Sequence, residues 1–538
     1  MESFGAWGLI PPILTITLAF VTKDVVVSLF LGIFTGSLIV SEGNPFAAMT
    51  HLVDLIAGSL NDGWNIRIFL FCAMLGGLVG MLSRTGSAKA FGRWAAKKLH
   101  SGRSSLLMAW FCGLLIFVDD YFNSLAVGTV MRPITDKHKI PRAQLAYILD
   151  STAAPVCILM PISSWVVTVM SIVKGSEGFE QFGISELSFF LRTIPYNIYA
   201  ILTLVMVLAT TQANLNFGPM AASIRYAKST GKLYNEAYGQ APGEVSVEEG
   251  SARARAIDML LPIIVLIVIA VLMFPVTTWM QARDGVATVT IADAMRSMSL
   301  ADAFNNTDAS CALFYAVIFT TVITYIYYLC RGLFTPKTAS DALVDGIKSM
   351  VPALIILTMA WTIGAIIKSS PEDGGLGLAT FLSKTVVGGG FPLQLVPIIA
   401  VALSALISFS TGTSWGTFAI MIPIVMPIAV GLAEAKGLSE AATLNATLIA
   451  VGAVLSGAVF GDHASPISDT TILSSVGSGC PHLEHVKTQM PYAVTVVLCA
   501  SFGYLLGGVF LNEIVAWIGT LVVFALALAI LPRKWAQG

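Results

Sequence analysis

Long apolar stretches, separated by short polar segments, run along the whole chain. A helix needs about 20 mostly apolar residues to cross the roughly 30 Å of hydrocarbon in a bilayer, and stretches near this length recur throughout. The pattern predicts an all-α polytopic membrane protein. The predicted crossings are residues 8–22, 24–41, 66–83, 143–173, 187–211, 257–280, 311–330, 350–368, 443–475, 491–511 and 513–532.

Composition supports this class. Apolar residues make up 56% of the 538 residues and charged residues only 11%, whereas soluble domains carry about 25% charged residues. A soluble enzyme is therefore excluded. The 30 Lys and Arg nearly balance the 31 Asp and Glu, so no basic surface for nucleic acid is expected. The seven cysteines lie mostly in apolar stretches and are expected to be packing residues.

Positive charges indicate the orientation in the membrane. Residues 84–103 contain Lys and Arg but no carboxylate, whereas residues 42–65 contain carboxylates but no Lys or Arg. Because Lys and Arg are retained on the cytoplasmic side, the first segment is predicted inside and the second outside. Continued along the chain, this alternation predicts a protein of the inner membrane, with the N-terminus outside and the C-terminus in the cytoplasm.

Two apolar segments are predicted to be re-entrant hairpins. Residues 104–132 have basic flanks on both sides, so a hairpin that enters and leaves at the cytoplasmic face fits better than a crossing. Its polar tip, residues 119–124, would reach the membrane interior. Residues 392–433 predict a second hairpin from the opposite face, with its tip at 410–414. Irregular backbone at that depth is tolerated only beside protein or water.

The same elements recur in two halves. The tripeptide Leu-Val-Asp at 52–54 returns at 343–345, 291 positions later, and each hairpin precedes a span with a polar, proline-ended interruption, at 150–155 and 461–466. Chance recurrence of short apolar words is the alternative. Inverted repeats with broken helices are typical of secondary transporters. The predicted organisation is a first inverted repeat at 1–211, a cytoplasmic linker at 212–256, a second repeat at 257–511, and a final helix and tail at 512–538.

Carboxyl and hydroxyl side chains concentrate at the predicted tips and breaks. A carboxylate inside a spanning segment costs about 2.5–3.5 kcal/mol on insertion scales and is kept chiefly where it faces a cavity, a partner or an ion. Hard oxygen ligands suit a small cation such as sodium. The candidate ion- or substrate-binding residues are Asp120, Asn123, Ser124, Asp150, Ser151, Thr152, Thr411, Thr413, Ser414, Asp462, His463, Ser465 and Asp469. The expected sodium ligands among them are Asn123, Asp150, Thr413 and Asp462.

Each candidate also has a structural interpretation. Polar residues beside a helix break commonly cap the half-helices, and Asp469 fits that role. The cap is a weaker explanation for Asp150 and Asp462, because they lie at matching places in the two halves and a cap needs no ionisable group. Of the adjacent Asp119 and Asp120, the second is favoured as a ligand.

Histidines offer two further possibilities. His463 beside the second break is either a proton-exchanging group or a hydrogen-bonding one. Cys480, His482 and His485 are expected in a cytoplasmic turn, where a zinc site is disfavoured because no fourth ligand is near. The sequence also lacks a GxxxxGK[ST] nucleotide loop, so an ion gradient is the expected energy source, with no cofactor and no enzymatic reaction.

Four segments resemble the NhaC-type sodium/proton antiporter family of the wider ion transporter superfamily: FVDDYFNSLAVGTVMRP (117–133), AYILDSTAAPVCILMPISSW (146–165), FSTGTSWGTFAIMIP (409–423) and VFGDHASPISDTTILSS (459–475). The resemblance covers nearly all of the chain except the linker and final helix. It implies a scaffold domain that often dimerises and a mobile transport domain of hairpins and broken helices. It also places all the candidates above except Ser151 on the family's site motifs.

The predicted function is sodium/proton antiport by alternating access in a homodimer, with Asp150 and Asp462 as the exchanging acids. The expected partners are the lipid bilayer, sodium ions and protons. The alternative is a sodium-coupled transporter or exchanger of a small organic anion or amino acid, because family relatives carry such solutes. A channel is disfavoured, since the apparent inverted repeat would then serve no alternating cycle.

Overall fold

The computed structural model describes residues 3–22, 24–87, 90–91, 94, 99, 101–117, 119–239, 251, 253–281, 293, 295–296, 298–305, 307–378, 381 and 391–535. Across these ranges the regular structure is helical, with no strand. The α-helices are α1 (Ile10–Thr22), α2 (Val25–Val40), α3 (Pro45–Asn61), α4 (Gly63–Arg84), α5 (Gly102–Leu115), α6 (Asp120–Lys137), α7 (Arg142–Thr152), α8 (Ala154–Cys157), α9 (Ser164–Gly175), α10 (Glu186–Thr193), α11 (Ile198–Thr211), α12 (Gly218–Thr230), α13 (Ile257–Gln281), α14 (Leu300–Asn305), α15 (Ala309–Cys330), α16 (Pro336–Ser349), α17 (Val351–Lys368), α18 (Val396–Thr411), α19 (Ser414–Ala435), α20 (Glu440–Ala464), α21 (Asp469–Ser478), α22 (His482–Phe510) and α23 (Glu513–Trp535).

The helices are long and apolar enough for a protein that crosses the membrane many times. Within the described residues, eight helices could each span a bilayer, and three bent pairs raise the number to as many as 11. This confirms the prediction of an all-α polytopic membrane protein. Helix α1 covers only 13 residues of the predicted crossing at 8–22, about 20 Å at helical rise.

The order of elements is the same in the two halves. In the first, α3 and α4 precede the hairpin α5–α6 and the interrupted span α7–α9; in the second, α16 and α17 precede the hairpin α18–α19 and the interrupted span α20–α21. The two Leu-Val-Asp tripeptides lie at comparable places, inside α3 and α16. The recurrence agrees with the predicted repeats, whose domain boundaries stay a prediction.

The halves meet in a close crossing of α4 and α16. A Cβ atom added to Gly346 would clash with the carbonyl oxygen of Gly76, and one added to Gly80 would clash with that of Ala342. Small residues allow helix backbones to approach in this way. At one end of the crossing, Nη2 of Arg84 lies 2.8 Å from Oδ2 of Asp345. Backbone contact therefore joins the two halves.

Both hairpin tips are shorter than predicted. Helix α6 already begins at Asp120, so Asn123 and Ser124 lie in its first turns and not in the tip. A carboxylate in the first turn favours this early start, because it complements the positive end of the helix dipole. The second tip consists of only two residues, Gly412 and Thr413. Gly412 has a left-handed φ of 71° and ends α18.

Part of the predicted cytoplasmic linker is ordered helix. Helix α12 packs against α22. Met220 is fully buried, and the hydroxyl of Ser223 donates to Oε1 of Glu484 at 2.8 Å. The apolar face of this helix explains why it does not behave as a free linker. Residues 240–250 of the predicted linker lie outside the described residues.

Helix α22 begins nine residues before the predicted crossing at 491–511, so the placement of His482 and His485 in a turn is wrong. The segment that starts the helix is polar, which hides it from a hydropathy pattern. Some of its polar side chains are nevertheless buried: His485 and Gln489 are both fully enclosed by neighbouring helices.

Replacing Gly346 with Ala should destabilise the crossing between the halves, because the new Cβ meets backbone that cannot move aside. Overpacking of this kind costs about 1–3 kcal/mol, so the thermal unfolding midpoint of the purified protein should fall. Gly58→Ala is the matched control, since a Cβ at this helical position meets nothing within 4 Å. Equal midpoints for both variants would contradict the described packing.

Candidate functional site

Asp150 and Asp462 lie at equivalent helix breaks. Helices α7 and α20 both end two residues after these carboxyl groups, and each break is followed by a proline, Pro155 or Pro466. Proline removes an amide hydrogen-bond donor, and its ring clashes with the carbonyl group four residues earlier in a continuous helix. The local sequence therefore ends each helix just after its acid, inside the protein.

Hydroxyl groups surround Asp462, which is 4% exposed. Its Oδ2 accepts hydrogen bonds from the backbone N (3.2 Å) and the hydroxyl (2.8 Å) of Ser414. The hydroxyl of Ser468 donates to Oδ1 and lies 2.8 Å from the hydroxyl of Thr470. The second hairpin tip and the second helix break thus place several hydroxyl oxygens around one carboxylate.

Asp150 is fully buried in different surroundings. Its Oδ2 accepts a hydrogen bond from Nε2 of Gln489 at 2.8 Å and lies 3.6 Å from Nε2 of His485. Among the described residues, its Oδ1 has no hydrogen-bond partner. The amide of Gln489 also donates to the carbonyl of His463 at 2.6 Å, so one side chain connects the two helix breaks.

The sequence analysis missed Gln489 and considered His485 only as part of a disfavoured zinc site, not as a neighbour of Asp150. Both come from α22, four residues apart, and therefore lie on one face of the helix. The available signal was a pair of polar residues at helical spacing just before an apolar stretch. It has little weight alone, because the same spacing is common on solvent-exposed helix ends.

Asn123 ties the first hairpin to the first break. Its Nδ2 lies 2.8 Å from the carbonyl oxygen of Gly113, 2.9 Å from that of Ile116 and 2.9 Å from that of Thr152. The three carbonyls belong to the hairpin arm, the tip and the end of α7. This amide holds irregular backbone in place and satisfies acceptors that would otherwise be buried without a donor.

His463 links three elements by hydrogen bonds. Its Nδ1 lies 2.7 Å from the hydroxyl of Tyr199 and its Nε2 lies 3.2 Å from the hydroxyl of Ser151. The ring is fully buried. Both ring nitrogens have neutral hydroxyl partners, which supports the hydrogen-bonding interpretation of this histidine.

A cavity of about 230 Å³ lies between the two hairpin tips. Four of the candidate residues line it, Asp120, Thr411, Thr413 and Asp469, together with Asp24 from the turn before α2, which the sequence analysis missed. Four of its lining side chains are carboxylates, counting Asp119. The cavity therefore offers a negatively charged approach to the tips.

Two of these carboxylates accept hydrogen bonds from aromatic side chains. Oδ1 of Asp120 accepts from Nε1 of Trp165 at 3.2 Å, and Oδ2 of Asp469 accepts from the hydroxyl of Tyr121 at 3.2 Å. Asp120 is buried, whereas Asp469 is exposed and begins α21. Asp469 follows the N-cap residue Ser468 and makes no capping hydrogen bond in the described helix, so its carboxylate only complements the positive end of the helix.

The other candidates contact backbone or a neighbouring hydroxyl. The hydroxyls of Thr152 and Thr411 each donate to a carbonyl four residues earlier, at 2.8 and 2.9 Å, which is a local helix contact. The hydroxyl of Ser465 donates at 2.8 Å to a carbonyl of α18. The hydroxyl of Ser124 accepts from that of Ser474 at 3.2 Å. These residues position the tips and breaks.

The acids of the two halves lie close enough to interact. Asp462 acts electrostatically on both Asp120 and Asp150. In the part of the chain that the structure describes, no three His, Cys, Asp or Glu residues come together as metal ligands. A cation at Asp462 would therefore be held by one carboxylate with hydroxyl and carbonyl oxygens, the donor set that a hard monovalent ion accepts.

Broken helices and re-entrant hairpins that meet at buried carboxyl groups define a secondary active transporter. The chain belongs to the Na+/H+ antiporter family, whose family model matches residues 156–509. This confirms the resemblance on which the sequence-based prediction of function depends.

Known proteins similar to the chain include one full-length relative. An uncharacterized protein of Haemophilus influenzae is 36% identical over 94% of this chain and 91% of its own length. The malate-2H(+)/Na(+)-lactate antiporter of Bacillus subtilis is 32% identical over 32% of this chain and 34% of that protein. The solved structure of Neisseria gonorrhoeae MtrF is 13% identical, with a TM-score of 0.47 over 92% of this chain and 86% of that chain.

Replacing Asn123 with Ala should loosen the contact between the first hairpin and α7. Buried carbonyls left without a donor cost about 1–3 kcal/mol each, so both the unfolding midpoint and the transport rate should fall. Asn65→Ala is the control, because Nδ2 of Asn65 bonds one partly exposed carbonyl at 2.9 Å. A stable, fully active Asn123→Ala protein would contradict this role.

Proposed function

We propose that this protein exchanges sodium ions for protons across the membrane by alternating access. The observation that carries the proposal is the contrast between two acids at equivalent helix breaks. Both oxygens of Asp462 accept hydrogen bonds from serine hydroxyls, whereas Asp150 accepts its closest hydrogen bond from an amide and faces an imidazole, with the hydroxyls of Thr470 and Thr471 nearby. Two carboxyl groups that interact electrostatically but differ in surroundings are suited to different ions.

Asp462 is the proposed sodium-binding acid. Hydroxyl groups both donate and accept hydrogen bonds, so those of Ser414 and Ser468 can rotate their protons away from the carboxylate and present oxygen to a cation. Backbone carbonyls at the break and the tip supply further hard ligands. Thr413, which lines the cavity at this tip, and Asn123 remain the other predicted sodium ligands.

Asp150 is the proposed proton-binding acid. An isolated charge is costly in a buried site unless it is paired and well hydrogen-bonded. Asp150 is fully buried, and among described groups its Oδ1 lacks a partner. A protonated, neutral carboxyl suits these surroundings better than a carboxylate does. The sequence-based prediction assigned sodium to both acids. The proposal instead assigns sodium to Asp462 and the proton to Asp150.

Electrostatics couples the two ions. When Asp462 has no cation, its negative charge disfavours a second charge on Asp150, which keeps its proton. Sodium beside Asp462 cancels that repulsion, and Asp150 can release the proton. Each loaded state then carries one uncompensated carboxylate, whereas the empty state carries two and is the most costly to move within the membrane. The linkage works equally in both directions.

Two cavities support alternating access. The cavity at the tips includes Ser349 and Met350 at the end of α16, on the side predicted to be cytoplasmic. A second cavity, of about 760 Å³, includes Asp54 and Lys174 on the side predicted to be outside. Inner-membrane location, an outside N-terminus, a cytoplasmic C-terminus and a homodimer are part of the same proposal.

A second candidate function is exchange of a small organic anion with sodium. The Bacillus subtilis relative, which covers about a third of the chain, is named for malate and lactate. In that case sodium would move only when a solute of this class is supplied. Sodium flux in vesicles with and without malate or lactate separates the two candidates.

Asp150→Asn should abolish sodium-driven proton movement. The wild-type protein in proteoliposomes with an acidic interior and a clamped voltage should collapse the pH gradient when sodium is added outside. The asparagine cannot take up or release the proton, so the gradient should persist at the leak rate. A pH-sensitive dye inside the vesicles reports the change.

Asp462→Asn should instead raise the sodium concentration that gives half-maximal exchange at least tenfold, which corresponds to about 1.4 kcal/mol of binding. Asp341→Asn is the control for both variants, because Asp341 is an exposed residue of α16. Wild-type exchange by the Asp150→Asn protein contradicts the assignment of the proton. No exchange by the wild type without an organic acid contradicts the antiport proposal itself.

A further inference from the structure

A chain of hydrogen-bonding groups leads from the start of α22 to Asp150. Nε2 of His482 lies 2.6 Å from the carbonyl oxygen of Pro466, and its Nδ1 lies 3.0 Å from Oγ of Ser475. The same Oγ lies 2.9 Å from Nδ1 of His485. On the other side of that ring, Nε2 lies 3.6 Å from Oδ2 of Asp150.

The partners determine which atoms carry protons. A carbonyl oxygen only accepts, so Nε2 of His482 carries the ring proton and Nδ1 is an acceptor. The hydroxyl of Ser475 has two acceptors within reach, this Nδ1 at 3.0 Å and the carbonyl oxygen of Thr471 at 2.8 Å. Nδ1 of His485 lies near Oγ of Ser475 and also 3.2 Å from the carbonyl of Thr471, so it is a donor. In the neutral ring, Nε2 of His485 is then a bare acceptor that faces Asp150.

With these proton positions, transfer along the chain runs from Asp150 towards His482. Oδ2 of Asp150 lies 3.6 Å from Nε2 of His485 and can donate to it once the two atoms move closer. His485 can donate to Ser475, and Ser475 to His482. Asp150 and His485 are fully buried and Ser475 is nearly so, whereas His482 is partly exposed. The chain runs from an enclosed acid to a histidine that water can reach.

This chain is separate from the cavity at the hairpin tips. That cavity is lined by Asp120, Asp469 and Thr413, and its described lining includes no member of the histidine chain. The titratable groups that act on His485 are His482, His463 and Asp150. His482 and Asp150 are the two ends of the chain, and His463 forms hydrogen bonds with Ser151 and Tyr199.

We propose that His485, Ser475 and His482 form the route by which the proton leaves and reaches Asp150, apart from the cavity at the hairpin tips. The inference rests on the proposed antiport. In the release direction, the Asp150 O–H bond breaks as a bond forms to Nε2 of His485. Its Nδ1 proton passes to Ser475, whose own proton passes to Nδ1 of His482.

The step balances without any other reactant. His482 becomes an imidazolium ion and loses its Nε2 proton to water, so one proton enters solution and Asp150 is left as a carboxylate. For proton uptake the same atoms act in reverse. Both histidines then start as the opposite tautomers, and the hydroxyl of Ser475 donates to Nδ1 of His485. His485 and His482 contact no substrate in this scheme except the proton that they pass on.

Two transport modes test the route in the full-length protein in proteoliposomes. Sodium/proton exchange needs the proton route, whereas exchange of labelled sodium for unlabelled sodium, with saturating sodium on both sides, needs none. Ser475→Ala should slow sodium/proton exchange at least tenfold and leave sodium/sodium exchange within twofold of wild type. Ser475→Thr, which restores the hydroxyl, should recover proton exchange.

The matched control is Ser478→Ala. Ser478 lies in the same helix, is fully buried, and its hydroxyl donates to backbone carbonyls, at 2.7 and 3.1 Å. This variant should leave both modes unchanged. His482→Phe is a second test at the partly exposed end and should reproduce the selective loss.

The outcomes are distinct. Equal slowing of both modes by Ser475→Ala and His482→Phe would mean that these residues only support the structure, which overturns the route. Wild-type proton exchange in both variants also overturns it. A wild-type protein that exchanges sodium for sodium but never for protons contradicts the proposed function and not merely the route.

Discussion

The rest of the structure depends on one constraint, which is that a carboxylate buried inside a membrane protein must be neutralised or fully hydrogen-bonded. Asp462 meets this constraint with the hydroxyls of Ser414 and Ser468 and a backbone amide. Asp150 has one amide donor within hydrogen-bond distance, and an imidazole and the hydroxyls of Thr470 and Thr471 nearby. In the proposed mechanism, the difference between these surroundings allows one pair of acids to distinguish a metal ion from a proton.

The interrupted helices and hairpins exist, in this view, to bring oxygen donors to the acids. A continuous helix uses its backbone groups on itself, whereas a break releases carbonyls and amides for other partners. The contact across the two halves is equally necessary, because Gln489 bonds both Asp150 and the carbonyl of His463. A single amide therefore makes the geometry at one break sensitive to the geometry at the other.

Much of this arrangement could be predicted from the sequence. The length of an apolar stretch, its basic flanks and a polar interruption that ends in proline are all local signals. They identified the spans, the hairpins and the breaks that carry Asp150 and Asp462. The tip boundaries and the start of α22 were wrong, since helix ends depend on tertiary contacts that a hydropathy pattern does not contain.

The partners of the acids could not be predicted for the same reason. Gln489 and His485 belong to a polar stretch that resembles a surface loop until α20 and α21 enclose it. Asp24 reaches the cavity from a turn nearly 100 residues away from the first hairpin. Such contacts between distant parts of a chain leave no regular spacing in a single sequence.

The central claim is that sodium bound beside Asp462 expels the proton from Asp150. The most direct measurement adds sodium to the purified protein in a weakly buffered detergent solution and records bound sodium and released protons together. The account predicts about one proton released for each sodium bound, because the two binding events are linked. Sodium binding without any proton release would contradict it.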